Sequence, residues 1–295
     1  MNLILQTLVS MIVQGSILAL ITVGMSLVYG TLRVFNMAQG VMVMVGGMAA
    51  YTFLQQFDLP VWSSLFVAAA ATFLLGILTF YVGIRPLLGR LGVDFEMTAF
   101  ISTFAIATIV QSLVLSIYGP RQKPFDVIID GRFNLTPEVS ITYHSVFMAV
   151  FAIVALVLLG LFLVRSRYGL AISAVAQNID AARLMGIPAS RVYVVAMGIA
   201  SALAGVAGVL LAPIYFVYPS SGDLPLLQAL IVAIFAGLGS IRGTIIAAYV
   251  IGFIQAAVSI FWSATYALPV LYAVIVLVLV VRPYGIAGKP QEARL

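Results

Sequence analysis

Long apolar runs separated by short polar punctuation make up nearly the whole chain. Residues 1–32, 34–57, 59–84, 97–120, 139–164, 192–222, 224–241 and 243–281 contain no Asp, Glu, Lys or Arg. About 20 consecutive apolar residues cross the hydrocarbon core of a bilayer as a helix. Most of these runs therefore hold one crossing, and the last is long enough for two. Charges, Pro and Gly between them set spans near 7–31, 35–55, 61–84, 96–118, 142–164, 192–215, 226–241, 243–262 and 267–282. The stretch 226–241 is short by the same length criterion and reads as a tilted crossing or as half of a re-entrant pair. The pattern predicts an all-α polytopic membrane protein of eight or nine spans, with broken or re-entrant segments allowed, and residues 1–295 forming one transmembrane domain.

Composition excludes the main alternatives. The 295 residues are 63% hydrophobic and 8% charged, against about 25% charged residues in soluble domains, too few to cover a surface facing water. With no Cys there is no disulfide framework, thiol nucleophile or Cys-ligated metal, and the single His144 cannot supply a histidine cluster. No catalytic residue and no metal ligand is expected. The net charge of +5 is scattered through short loops rather than gathered in a patch, so no nucleic-acid partner is expected. The opening MNLILQTLVS lacks a positive n-region and a small-residue cleavage site, and reads as the start of the first span.

The scattered cations report orientation. On the nine-span count one face receives Arg33, Arg85, Arg90, Arg165, Arg167, Arg183, Arg191, Arg242, Arg282, Lys289 and Arg294. The other receives Arg121, Lys123 and Arg132, balanced by Asp126, Asp130 and Glu138 in a loop over 119–138. The positive-inside rule makes the first face cytoplasmic, with the N-terminus outside and the C-terminus inside. Two places depart from plain spanning helix. Gly30 and Gly40 bracket Arg33, Asn36 and Gln39, and AGLGSIRG at 236–243 is again Gly-rich around one Arg. Irregular backbone at membrane depth is tolerated only where it is buried in protein or lines a cavity. Both also read as cytoplasmic turns.

The largest cytoplasmic excursion is RSRYGLAISAVAQNIDAARLMGIPASR, residues 165–191. Ile172, Val175, Ala176, Ile179 and Ala182 recur at helical spacing and give one apolar face on a short helix. Gly186 and Pro188 supply the stop. Arg183 suits the last turn, with Asp180 one turn before it. Such a helix lies on lipid or docks a soluble partner; the residues alone leave both open.

Three ordered motifs carry a resemblance. QGSILALITVGMSLVYGTLRVFNMAQGVMVMVGGMAAY (14–51) resembles the N-terminal signature of the ABC-importer permeases for branched-chain amino acids, most closely their shorter, H-type subunit. RYGLAISAVAQNIDAARLMGIPASRVY (167–193) resembles that family's cytoplasmic coupling loop, and AGLGSIRGTIIAAYVIG (236–252) its Gly-rich C-terminal motif. RPYGIAGKP (282–290) is similar to its usual ending. Departures are Gln39 where the family often has His, Ser173 where it commonly has Arg, and Ala236-Gly237 where a doubled Gly often precedes LGS. The first leaves substrate identity open, because similar permeases carry urea, short amides or other amino acids.

The resemblance implies a permease subunit in a bacterial inner membrane without chemistry or cofactor of its own. Its implied partners are two cytoplasmic ATPases that use ATP, a second permease subunit and a periplasmic substrate-binding protein. The sequence agrees in one respect: a P-loop needs Gly-Lys-Ser/Thr, and the only lysines are Lys123 and Lys289, each followed by Pro. An ion-coupled secondary transporter or a channel is the rival class, but carboxylates come no deeper than Asp94 and Glu96 at the start of one span, and nothing resembles a selectivity filter. A path for a zwitterion should be lined by uncharged polar groups, the candidates being Gln14, Thr22, Ser26, Asn36, Gln39, Ser102, Thr103 and Gln111. Coupling to the ATPases falls to Ile172, Val175, Ile179, Asp180, Ala182, Arg183 and Gly186, with the apolar stripe filling a groove on the partner. The small residues Ala200, Ala204, Gly205, Ala207 and Gly208 are expected to pack against a second permease or within this chain.

Overall fold

A backbone crossing lipid must satisfy its own N–H and C=O groups, so each apolar run has to close into helix. The computed structural model describes residues 2–57, 60–89, 94–136, 139–282 and 285–287. Arg90, Glu138, Lys289, Arg294 and parts of the 282–290 motif lie outside the described residues. The helices are α1 (Asn2–Leu32), α2 (Gln39–Phe57), α3 (Ser63–Thr79), α4 (Phe95–Tyr118), α5 (Tyr143–Arg165), α6 (Arg167–Gln177), α7 (Ile179–Leu184), α8 (Ala189–Tyr215), α9 (Asp223–Ala236), α10 (Ile241–Phe261) and α11 (Ala267–Val281). Among the described residues seven helices are long and apolar enough to cross a membrane: α1, α3, α4, α5, α8, α10 and α11, with α3 and α11 counted together with short flanking turns. The protein is an all-α polytopic membrane protein. With α2 and α9, every span expected from the sequence is helical.

Local structure differs from the pattern in three places. Helix α2 begins at Gln39 rather than near 35, because residues 33–38 are an irregular joint. The loop after α4 carries a hairpin of β1 (Arg132–Thr136) and β2 (Val139–Thr142), with Phe133 opposite Ile141 and Asn134 opposite Ser140. After α3 the chain widens into a π-turn over Phe80–Ile84, and Ser102 of α4 donates to the carbonyl of Gly83 there at 2.9 Å.

The short span is placed by what its ends touch. At 14 residues, α9 is about 21 Å long at 1.5 Å per residue, short of the ~30 Å hydrocarbon thickness. Leu224 and Gln228 near its start line the same cavity as Gln255 and Ser259 near the end of α10. α9 thus leads away from the cavity and α10 leads back to it, the two helices running antiparallel. Its last carbonyls are satisfied from the far end of the chain: Ile286 N–H donates to Phe235 O and Ala287 N–H to Ala236 O, both at 2.9 Å.

Helix α8 is the hub. In their most apolar stretches 67% of α8 and 61% of α1 are buried, against 17% of α4 and 11% of the α11 span, which sit at the periphery. Ala200, Ala204 and Ala207 are fully buried. A Cβ on Gly46 of α2 would overlap the Gly205 backbone, one on Gly208 would overlap the Val43 carbonyl, and one on Gly205 would overlap Thr72 of α3. The small-residue face of α8 is therefore used inside this chain, not against a second permease. Close backbone approach is what holds helices together where lipid and Leu are equally apolar.

Gly46→Val forces α2 off α8 and is expected to cost about 2–3 kcal/mol, read as earlier unfolding in an SDS titration of the purified protein. Gly160→Val on α5 is the control. No atom lies within 4 Å of where its Cβ would stand, and its unfolding should change by less than about 0.5 kcal/mol.

Candidate functional site

The joint between α1 and α2 is built from amides. Arg33 takes the left-handed region (φ 59°) and ends α1. The Asn36 side-chain oxygen accepts from Ala38 N–H at 3.1 Å and starts the next turn. Gln39 reaches back, its Nε2 donating to Ala200 O at 3.1 Å and to Ile21 O at 3.4 Å, so one side chain ties α2 to α8 and α1. From α4, Thr103 Oγ1 accepts from Met37 N–H at 3.2 Å and donates to Phe100 O. Asn36, Gln39 and Thr103 are fully buried. Pairing is incomplete: among the described residues Asn36 Nδ2, Gln39 Oε1, Ser26 Oγ and Ser201 Oγ have no partner. Each such atom costs about 1–3 kcal/mol. The second Gly-rich break meets the first, since a Cβ on Gly30 would stand 3.3 Å from the Gly239 carbonyl oxygen.

A cavity of about 560 Å³ lies among α1, α2, α5, α8, α9, α10 and α11, reaching from Gln6 to Ile21 along α1. Among the described residues its lining holds four amides, Gln6, Gln14, Gln228 and Gln255, and no carboxylate, amine or guanidinium. Val217, also in the lining, forms a two-way backbone bridge with Lys123, so the loop after α4 is fastened beside the mouth.

The eight path candidates do not line one channel within this chain. Only Gln14 borders the cavity. Asn36, Gln39 and Thr103 meet at the joint. Thr22 donates to Leu18 O of its own helix at 2.6 Å, Ser26 is buried within α1, and Ser102 serves the π-turn. Gln111 donates to Ser220 Oγ at 3.2 Å and Asp223 Oδ2 at 3.4 Å, linking α4 to the start of α9. Gln6, Gln228 and Gln255 were missed, although an amide inside an apolar run is a visible signal. His144 is a clamp: buried, it meets Leu210 O through Nε2 at 3.2 Å and joins α5 to α8.

The segment after α5 is two helices rather than one. Ser166 Oγ caps α6 by accepting from Gly169 N–H at 2.8 Å. Asn178 breaks the run and caps α7, accepting from Asp180 N–H at 3.0 Å and Ala181 N–H at 3.1 Å. Gly186 is left-handed (φ 79°). Its N–H meets Arg183 O, and the Ile187 N–H meets Ala182 O, a Schellman stop that favours Gly. Ile172, Val175 and Ala182 are 2%, 3% and 4% exposed and belong to this chain's own core. That corrects the stripe's expected direction: it anchors the segment inward, with Ile179 half-buried beside it. The outward surface carries Asp180, Arg183 and Gly186, and two residues absent from the expectation, Leu184 and Met185, 89% and 82% exposed. Among the described residues no group of three His, Cys, Asp or Glu could hold a metal.

Comparison with known proteins gives a family. The model for the permease component of the branched-chain amino acid transport system matches residues 7–279. The chain is similar to the high-affinity branched-chain amino acid transport system permease protein BraD of Pseudomonas aeruginosa, 30% identical over 99% of this chain and 98% of that one. It is also similar to LivH of Escherichia coli, described in the same words, 28% identical over 99% of this chain and 97% of that one. Among solved structures, PsaBC from Streptococcus pneumoniae in complex with Fab aligns with a TM-score of 0.50 and 12% identity, covering 94% of this chain and 91% of that one, a likeness of fold alone. Matched along nearly its whole length, this multi-pass membrane protein belongs to the branched-chain amino acid transport permease family.

Proposed function

We propose that the chain moves branched-chain or chemically related amino acids across a bacterial inner membrane as one permease of an ATP-driven importer. The observation carrying this reading is the full-length match to permeases described as high-affinity branched-chain amino acid transporters. Two cytoplasmic ATPases, a second permease and a periplasmic binding protein complete the assembly. The eleven-to-three split of basic residues supports an orientation with α6, α7 and the C-terminus in the cytoplasm and the N-terminus outside. The thinly covered α4 and α11 offer the sides against which a second permease would pack.

In proteoliposomes holding the complete assembly, leucine uptake should require ATP and the binding protein and should be competed by isoleucine and valine. Uptake driven by an ion gradient without ATP would overturn the importer reading. Uptake of urea or a short amide in place of leucine would overturn the substrate class.

For ATP to drive transport, the ATPases must act differently on the inward- and outward-facing states, which needs a stiff handle on the cytoplasmic side. α6 and α7 qualify: both are capped, and the buried Ile172, Val175 and Ala182 fasten them to the bundle. The exposed Leu184–Met185 corner is the knob that enters the ATPase. Leu184→Glu with Met185→Glu should weaken ATPase co-purification at least about 30-fold, a central-contact loss of ~2 kcal/mol, with membrane insertion unchanged. Gly186→Val should act in the same direction by straining the stop. Ala182→Trp, which collides with the chain's own core, should lower expression first.

The Asn36–Gln39 joint is the element that repacks during the cycle, because its unpaired buried atoms leave it alternatives that a fully paired joint would lack. Replacing both residues with Leu should cut leucine uptake about tenfold or more, the rate effect of ~1.4 kcal/mol, while the assembly still co-purifies. Unchanged uptake would remove the joint from the transport cycle.

A further inference from the structure

We propose that the cavity is a binding site, contained within this one subunit, for a small net-neutral solute joining a dipolar head to an aliphatic tail: the zwitterion of an aliphatic amino acid. The proposal rests on the transport reading above and names where substrate pauses inside this chain. At about 560 Å³ the space falls within the ~300–1,000 Å³ of small-ligand sites. Among the described residues no charged side chain lines it, so a solute with net charge would lose its hydration to amides and hydroxyls alone. A plain hydrocarbon chain fits no better, because it would leave the amides of Gln6, Gln14, Gln228 and Gln255 facing nothing polar.

Gln255 is the particular sign. It borders the cavity from α10, is 7% exposed, and among the described residues its Nε2 has no partner. A buried amide nitrogen without an acceptor is rare in a finished structure; closed off from the cavity as it stands, it would meet a carboxylate there, a strong acceptor, by turning its side chain inward. The surrounding backbone favours the same solute. The starts of α5 (Thr142, Ser145) and α9 (Leu224, Pro225) border the cavity, and so do the ends of α8 (Tyr215) and α10 (Ser259). Helix starts carry partial positive charge and helix ends partial negative charge. The start of α11 (Ala267, Leu268) borders it as well, so the cavity is edged by both signs, a field that can meet a zwitterion's carboxylate and ammonium. Ile17, Leu18, Ile21 and Val43 form an aliphatic wall for the tail.

The same turn of α1 faces both regions. Ile21 lines the cavity, and its carbonyl accepts from Gln39 Nε2 at the joint. Occupancy is therefore one residue away from the element that repacks.

The test uses the complete transporter in lipid nanodiscs without its binding protein, with radiolabelled leucine as probe. Saturable binding is expected, competed by isoleucine and valine but not by arginine or glutamate. Gln255→Leu should weaken it at least about tenfold, the loss of one hydrogen bond to a charged group, while ATPase co-purification stays normal. Gln255→Glu, which places a like charge beside the carboxylate, should abolish it. If wild-type assemblies transport leucine but show no such binding, or if Gln255→Leu binds as wild type does, the cavity is not a substrate site and the transport reading stands. If leucine is not transported at all, the transport reading falls and this proposal falls with it.

Discussion

Helices in hydrocarbon gain little by hiding leucine from lipid, so their association depends on how near two backbones can come. Here that constraint is met at α8. Gly205 lies against Gly46 and Thr72, and Gly208 against Val43, which brings α2 and α3 to the same helix. Once α8 is seated, α5 is hung on it through His144 and the joint is pinned to it through Gln39. The peripheral α4 and α11 are left with most of their surface uncovered. The fold is a tight hub with loose flanks, suiting a subunit that must bind neighbours without falling apart.

The second constraint is that irregular backbone at depth needs donors and acceptors where water is scarce. The chain meets it by local loans between distant segments. Ser102 serves the carbonyl of Gly83, Thr103 takes the N–H of Met37, and Asn36 starts the turn that follows the break. These residues look like a polar path on a sequence because both uses call for hydroxyls and amides within apolar runs. Only geometry separates them.

The spans were legible because membrane thickness imposes a length on apolar runs, and a charge or Pro marks most of their ends; the break between α10 and α11, WSATY, was read from length alone. The joint at 33–38 was legible from its glycines and amides, and the Gly186 stop from its place before Pro188. Less could be read where partner choice matters. The Ile172, Val175 and Ala182 stripe correctly signalled a buried face, but periodicity says nothing about whether that face is covered by the same chain or another. The small face of α8 posed the same question and received the same answer, its own chain. Asn178 in QNIDAAR is a helix-start residue that the long helical pattern concealed. The cavity amides stood in plain view, yet no spacing rule gathers Gln6, Gln14, Gln228 and Gln255 from three helices.

The bonds from Ile286 and Ala287 to the end of α9 set an order in time. Ile286 lies 51 positions after Phe235, whose carbonyl it satisfies. At about 5–20 residues per second, a ribosome needs roughly 3–10 s between making the acceptor and making its donor. During that interval α10 and α11 are inserted while the short helix ends in bare carbonyls. Its final seat therefore becomes available only when the last described residues emerge. A nascent chain arrested after α11 would hold every described span yet lack the clasp, so the seating of α9 waits on residues that lie beyond the last of those spans.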